Sequence, residues 1–505
     1  MRLRATIPIL SLLIAWSANA AGQEVFRAAD ARFQQLVREG GYPSLAVGVI
    51  HGDKVVYEKV FGVADRSTGR PVTMDTIYRT GSVGKLFTAT LLMMLRDDGK
   101  LRLDDPVEQY LPPGVRLQTD PRGAPVITFR HLVTHTSGLP EWPEKDPTLY
   151  DEKPPDEVIE RYRGFTADAL EQPIGARFRY SGLGYSLLGH ALERIGGDSY
   201  EALLQKMLFT PLGMKDTVIN LTPEQRKRMP NHYSSDDKVV ERDPADPGAR
   251  WAWPTSSHVT TVDDMLRFLR LQRRAGMTDA APVRGSTLAE MHTPQRLQNN
   301  WNDAIGIGWW IEPNAEVGDI IWHKGASRGF SSYLAYSKRY DLGVVLLTNR
   351  NRTVEEIGRA FLISLARSLG PLRPPTKSEA EIYWNARDWS NAAWAYESIV
   401  RNKPADATAW FRLGSAYQRT RDCARAMPAL RKAVELKAGA SPYALFLLAR
   451  CHAIRGNITA SLTELRRAVD AGYVDEENEL STDVDLEPVR RDPRFAGIIT
   501  RRIRK

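Results

Sequence analysis

Near the start of the chain, SLAVGVIHGDKVVYEKVFGVAD carries two runs rich in Val around His51-Gly52-Asp53, which predicts a β-hairpin. Far downstream, FSSYLAYSKRYDLGVVLLTNR repeats the pattern around a polar turn, and an amphipathic stretch then predicts a helix from about Val354 to Leu369. First and last strands of such domains often pair. The expected fold is therefore α/β (α+β), one antiparallel sheet flanked by helices, with a helical middle between about 82 and 300. Within that middle, RTGSVGKLFTATLLMML places Leu86, Phe87, Ala89, Leu91, Leu92 and Leu95 around most of a helix that ends at Gly99. Such a helix belongs inside the domain.

The texture changes at GPLRPPTK, Gly370 to Lys377, where prolines interrupt the pattern. Beyond it the chain reads as short amphipathic helices with a repeat: Tyr383 and Tyr417, and likewise Ala392 and Ala426, stand about 34 residues apart. W-x-x-L-G-x-x-Y at Trp410, Leu413, Gly414 and Tyr417 resembles the first helix of a tetratricopeptide repeat. About three repeats are expected from 376 to 475, followed by a capping region, with a plain helical bundle as the alternative. In that stacking Cys423 opens the second helix of one repeat and Cys451 closes the first helix of the next, so a disulfide and a pair of buried thiols both fit. The expected organisation is a leader at 1–20, a first domain at 21–369, a linker at 370–377 and an all-α helical-repeat domain at 378–505.

Composition narrows the setting. The 505 residues are 42% hydrophobic and 26% charged, the signature of a folded globular chain, and the net charge of +8 is modest for that length. No nucleic-acid motif accompanies the charge, and no nucleic-acid partner is expected. MRLRATIPILSLLIAWSANAAGQ reads as an export signal: Arg2 and Arg4, an apolar run too short to span a bilayer, then Ala18-Asn19-Ala20, with cleavage after Ala20 and a periplasmic or secreted product. No later segment is apolar enough to be transmembrane. The two cysteines lie far from the Ser82 region, so a thiol nucleophile there is not expected.

Ser82 and Lys85, one helical turn apart in Gly81-Ser82-Val83-Gly84-Lys85, are either a capped helix start with a surface lysine or a nucleophile with its base. Lysine beside an apolar interior loses its proton readily and could act as a base, but serine and lysine are common residues, and S-x-x-K by itself favours the capped helix. Three further motifs follow in order: ITFRHLVTHTSGLP, Tyr180 in ARFRYSGLGYSLLGH, and His323-Lys324-Gly325-Ala326 in IIWHKGASRGFSS. Over about residues 25 to 367, S-x-x-K, Tyr-Ser-x, H-T-S-G-L and H-x-G together resemble the serine β-lactamase and penicillin-recognising family, in its branch of class C β-lactamases, DD-peptidases and esterases. The resemblance implies an acyl-enzyme on Ser82, Lys85 as proton acceptor, Tyr180 as proton carrier to and from the leaving group, and His323 with Gly325 on the sheet edge beside the bound carbonyl. It also implies an oxyanion hole from the amides of Ser82 and Ala326. Acyl transfer needs these parts in any scaffold: a nucleophile, a base within reach, and donors aimed at the developing oxyanion.

One position departs from the family. Where it usually has Tyr-Ser-Asn, the chain has Tyr180-Ser181-Gly182, which removes from the acyl pocket an amide that holds the substrate's own amide. β-Lactams and peptidoglycan-like peptides lose support, and ester hydrolysis keeps it. The expected function is an exported serine hydrolase cleaving a carboxylic ester or amide, with no cofactor. The alternative is a catalytically weak domain that acts with the repeats as a peptide- or protein-binding module in the envelope. His131 and His135 are read as structural rather than metal-binding, since Leu132 stands where a zinc-protease motif has Glu. Trp251, Trp253, Trp301, Trp309 and Trp310 fit either core packing or an aromatic pocket.

Overall fold

The computed structural model describes residues 9–111, 126–141, 170–241, 243–248, 250–276, 279–298, 303–314, 316–370, 377–385, 387, 389–437, 441–475 and 478–500. The expected leader falls largely outside these residues or on side chains that are not described, and Trp301 and the centre of the linker also lie outside. No helix among the described residues is long and apolar enough to cross a membrane. The chain divides into two compact units, Met1–Leu372 and Arg373–Lys505.

The strands of the first unit are β1 (Ser44–His51), β2 (Lys54–Asp65), β3 (Arg70–Pro71), β4 (Tyr78–Arg79), β5 (Val259–Thr260), β6 (Arg296–Leu297), β7 (Ala304–Ile305), β8 (Trp310–Glu312), β9 (Ile320–Ser327), β10 (Phe330–Ser337) and β11 (Leu342–Thr348). Nine of them form one antiparallel sheet in the order β3-β2-β1-β11-β10-β9-β8-β7-β6, while β4 and β5 pair separately. The predicted hairpin turns at Gly52, with φ +64°, where His51 meets Lys54. The first and last long strands pair as expected, with Val49 opposite Val344. Because β1, β10 and β11 are buried along nearly their whole length, their Val, Leu and Ile side chains feed two cores. One core contains Phe33 from helix Ile9–Arg38 and Phe361 from helix Glu355–Leu369, edge to face at 5.2 Å. The other takes in helices Gly84–Asp97 and Val262–Gln272 and holds most of the helical middle.

The second unit contains three helix pairs: Lys377–Asn385 with Trp389–Asn402, Ala407–Arg419 with Cys423–Glu435, and Ser441–Ile454 with Ile458–Asp470. Leu480, Leu486, Val489, Phe495 and Ile498 from the following short helices close its core, as a capping region should. Small residues set the spacing within pairs: a Cβ on Gly414 would stand 2.6 Å from Leu430 Cγ and 2.9 Å from the Leu430 backbone nitrogen. Cys423 and Cys451 meet where the repeat stacking puts them, as two buried free thiols in mutual hydrogen-bond contact.

Since a backbone atom cannot yield as a side chain can, Gly414→Ala should destabilise the full-length protein by about 1–3 kcal/mol despite alanine's better helix propensity. Urea unfolding followed through the helical signal checks this, and an increase in stability would show that the pair has room to spread.

Candidate active site

Helix Gly84–Asp97 is buried from Gly84 to Leu95, and a single 3₁₀ turn, Gly81–Val83, leads into it. The turn requires glycine at its start, for Gly81 has φ +52° and a Cβ there would lie 2.5 Å from the amide nitrogen of Ala326. Ser82 thus stands at the head of an apolar helix, with Lys85 on the same face. The lysine is wholly buried. Its Nζ lies 3.3 Å from Ser82 Oγ and 3.3 Å from the carbonyl oxygen of Thr255. The rings of Tyr180 and Tyr185 pack 4.9 and 5.7 Å from the nitrogen. Loss of hydration brings the amine down from its ordinary 10.5 to about 7, against a smaller opposing pull from the Glu141 carboxylate.

Thr255 is held by a chain of hydroxyls. Thr88, on the Lys85 helix, donates to the carbonyl of Pro254 at 2.6 Å, and its oxygen lies 2.7 Å from the Tyr200 hydroxyl. That hydroxyl in turn meets His258 Nε2 at 3.2 Å. With the Thr88 proton on the carbonyl, Tyr200 donates to Thr88 and His258 donates to Tyr200. The 254–255 peptide is thereby fastened to the helix that carries Lys85.

Opposite the turn lies β9. It pairs with β8 only as far as Trp322, opposite Trp310, so residues 323–327 present an edge with no strand neighbour on that side among the described residues. Arg328 and Gly329, both with positive φ, make the two-residue turn to β10 and pair Ser327 with Phe330. The alternation of an antiparallel ladder then turns the amide of Ala326 away from β10 and out to the free edge. Gly325 lets the edge approach the serine, since a Cβ there would fall 2.0 Å from the Thr80 carbonyl oxygen and 2.9 Å from the amide nitrogen of Ser82. Ser332 secures the same contact by donating to the Thr80 oxygen at 2.5 Å.

His323 is almost wholly buried and donates from Nδ1 to the Lys324 carbonyl at 2.7 Å. Burial, reinforced by Lys85, pushes its pKa down to about 3, so it is neutral. Tyr180, half-buried and hydrogen-bonded to Ser82, is held above the usual phenol range by burial and remains protonated. Ser82, Tyr180, His323, Gly325 and Ala326 line one cleft of about 440 Å³ with Glu141 and Trp310.

The sequence reading puts Gly182 in the acyl pocket, in place of an amide side chain. It is buried at the first position of helix Gly182–Gly196, its amide donates to the Glu141 carbonyl at 3.1 Å, and it is not among the residues lining the cleft. Glu141 lines that corner instead. Sequence reading missed Glu141 and Thr255, the first because nothing in HTSGLPEW marks the carboxylate and the second because it acts through a carbonyl that any residue has. Of the tryptophans, Trp310 lines the cleft and Trp309 is core, while Trp253 is half-buried and donates to the Gly248 carbonyl at 3.3 Å. The side chain of Trp251 is not described. His131 caps its own helix, with Nδ1 accepting from the Thr128 amide at 3.2 Å.

Both units have known relatives. A Beta-lactamase family profile matches residues 29–368, and a Tetratricopeptide repeat profile matches 378–441 and 415–473. The D-alanyl-D-alanine-carboxypeptidase/endopeptidase AmpH of Escherichia coli (strain K12) is 27% identical over 338 residues, which cover 62% of this chain and 80% of that protein. Esterase EstB of Burkholderia gladioli is 32% identical over 223 residues, 42% of this chain and 56% of the esterase. The octameric penicillin-binding protein homologue from Pyrococcus abyssi is similar in structure with a TM-score of 0.57 at 26% identity, over 68% of this chain and 77% of that one. Through residues 29–368, the chain belongs to the beta-lactamase family of serine hydrolases, and tetratricopeptide repeats follow.

Proposed function

We propose that the protein is an exported hydrolase that opens a carboxylic ester or amide through an acyl-Ser82 intermediate. The observation that carries this reading is the buried amine of Lys85, 3.3 Å from Ser82 Oγ and brought to about 7, where a lysine exchanges protons at neutral pH. Neutral Lys85 donates an N–H to the Thr255 carbonyl and turns its lone pair to the serine proton. Oγ attacks the acyl carbon as that proton passes to Nζ, and the carbonyl oxygen gains its charge facing the amides of Ser82 and Ala326. Tyr180, still a phenol, delivers a proton to the departing alkoxide or amine. Water then attacks the acyl-enzyme by the reverse sequence, which frees Ser82 and the acid.

Two features favour uncharged esters over β-lactams and peptides. The family's second-motif asparagine is replaced by Gly182, which supplies no side-chain amide. His323 is neutral and offers no positive charge to a substrate carboxylate. The leader-like first residues support export, and the repeats support a peptide or protein partner, because stacked helix pairs present a continuous concave face. The alternative of a binding module without catalysis has no comparable support at Ser82, where base, phenol and edge amides converge.

On a short-chain chromogenic ester, Ser82→Ala should remove turnover and leave thermal unfolding unchanged; equal turnover by the variant would end the acyl-serine reading. A chromogenic cephalosporin should be turned over far more slowly than the ester, and parity between them would remove the argument from Gly182 and His323. For the wild type, kcat/KM should rise with pH through about 7, as Lys85 passes from ammonium to amine. A rate that falls across the same range would require another base.

A further inference from the structure

His135, set aside above as structural, is bonded to the backbone N–H of the residue on each side of Tyr180. It lies just past helix Phe129–Val133 and its cap Thr134, in the left-handed region with φ +57°. Its carbonyl accepts the N–H of Arg179 at 2.7 Å, and its Nδ1 accepts the N–H of Ser181 at 3.0 Å. Its ring lies 4.4 Å from the ring of Tyr180, tilted by 34°, and 5.0 Å from that of Tyr185. The side chain is fully buried. Because Nδ1 is an acceptor, the ring proton sits on Nε2, which has no hydrogen-bond partner among the described residues. Orientation of the imidazole is therefore set from Nδ1 and from the aromatic contacts.

We propose that His135 is a positioning residue for Tyr180: its carbonyl, Nδ1 and ring face fix the backbone and ring of the phenol that serves the leaving group. This rests on the reading of Tyr180 as the proton carrier. The left-handed backbone has a reason in this arrangement, since a single residue offers its carbonyl and its side-chain nitrogen to amides two positions apart on the neighbouring segment. Proton transfer depends steeply on placement, and a shift of about 1 Å in a catalytic group costs on the order of 10²-fold in rate.

The test is a double-mutant cycle on the full-length protein with a short-chain chromogenic ester. His135→Gln moves the side-chain amide away from the Nδ1 position and should lower kcat by roughly tenfold to a hundredfold with KM little changed. His135→Asn places Oδ1 where Nδ1 stands and tolerates left-handed backbone, so its kcat should fall between those of the wild type and His135→Gln. In a Tyr180→Phe background, where no phenolic proton remains to be aimed, His135→Gln should cost little more. An equal loss in both backgrounds, or none in the wild type, overturns the proposal. If His135→Gln does not fold, His135→Asn runs the same cycle: coupling to Tyr180→Phe is expected, and additivity overturns it. Should Tyr180→Phe alone leave kcat unchanged, the fault lies with the role given to Tyr180, and the reading on which this proposal rests falls with it.

Discussion

A primary amine kept out of water beside a serine hydroxyl is the interaction around which the first unit is organised. Lys85 could be buried and charged if a carboxylate were seated against it, but the nearest pull of that kind comes from Glu141, an exposed residue at the cleft, and it offsets only part of the desolvation. What surrounds the nitrogen is a backbone carbonyl, a serine oxygen and two aromatic rings. Burial outweighs these partners, and the result is an amine poised between its two protonation states. The same dryness, together with the lysine, keeps His258 and His323 neutral, so neither imidazole adds a positive charge beside Lys85.

Much of this was legible in the sequence because it depends on local periodicity. The hairpin at His51-Gly52-Asp53, the helix after Ser82 and the strand bearing His323 follow from apolar spacing and turn residues, and their order along the chain carried the family resemblance. Other parts depend on where distant loops meet. The Thr255 carbonyl has no sequence signature, since every residue has one, and the Thr88–Tyr200–His258 relay joins positions that nothing in the sequence relates. His135 illustrates the same limit: beside His131 it reads only as structural, but the helix ends at Val133 and the residue turns to meet another segment. Gly182 shows the converse, a motif position that has no side chain to offer and whose backbone amide is spent on the Glu141 carbonyl.

The repeat unit is legible in the spacing of Tyr383 with Tyr417 and of Ala392 with Ala426 and in the pattern from Trp410 to Tyr417. Small residues such as Ala426 let the helices of a pair approach, and a period of about 34 residues is the length of chain that one such pair consumes. The two cysteines mark the same packing from another direction, as the end of one helix meets the start of another.

The close approach of Gly325 to residues 80–82 has a consequence for when the chemistry becomes available. The amides of Ser82 and Ala326, to which the proposed mechanism gives the oxyanion, are brought together by a contact between segments far apart in the chain, and the strand carrying Ala326 emerges from the ribosome long after Ser82. Lys85 is dry only when the later segments, including Thr255 and Tyr180, have covered it. A nascent or partly folded chain therefore exposes a lysine with its ordinary affinity for protons beside an unremarkable serine. The arrangement around Ser82 is therefore complete only once β9, formed by residues 320–327, has docked against the turn at 81–83.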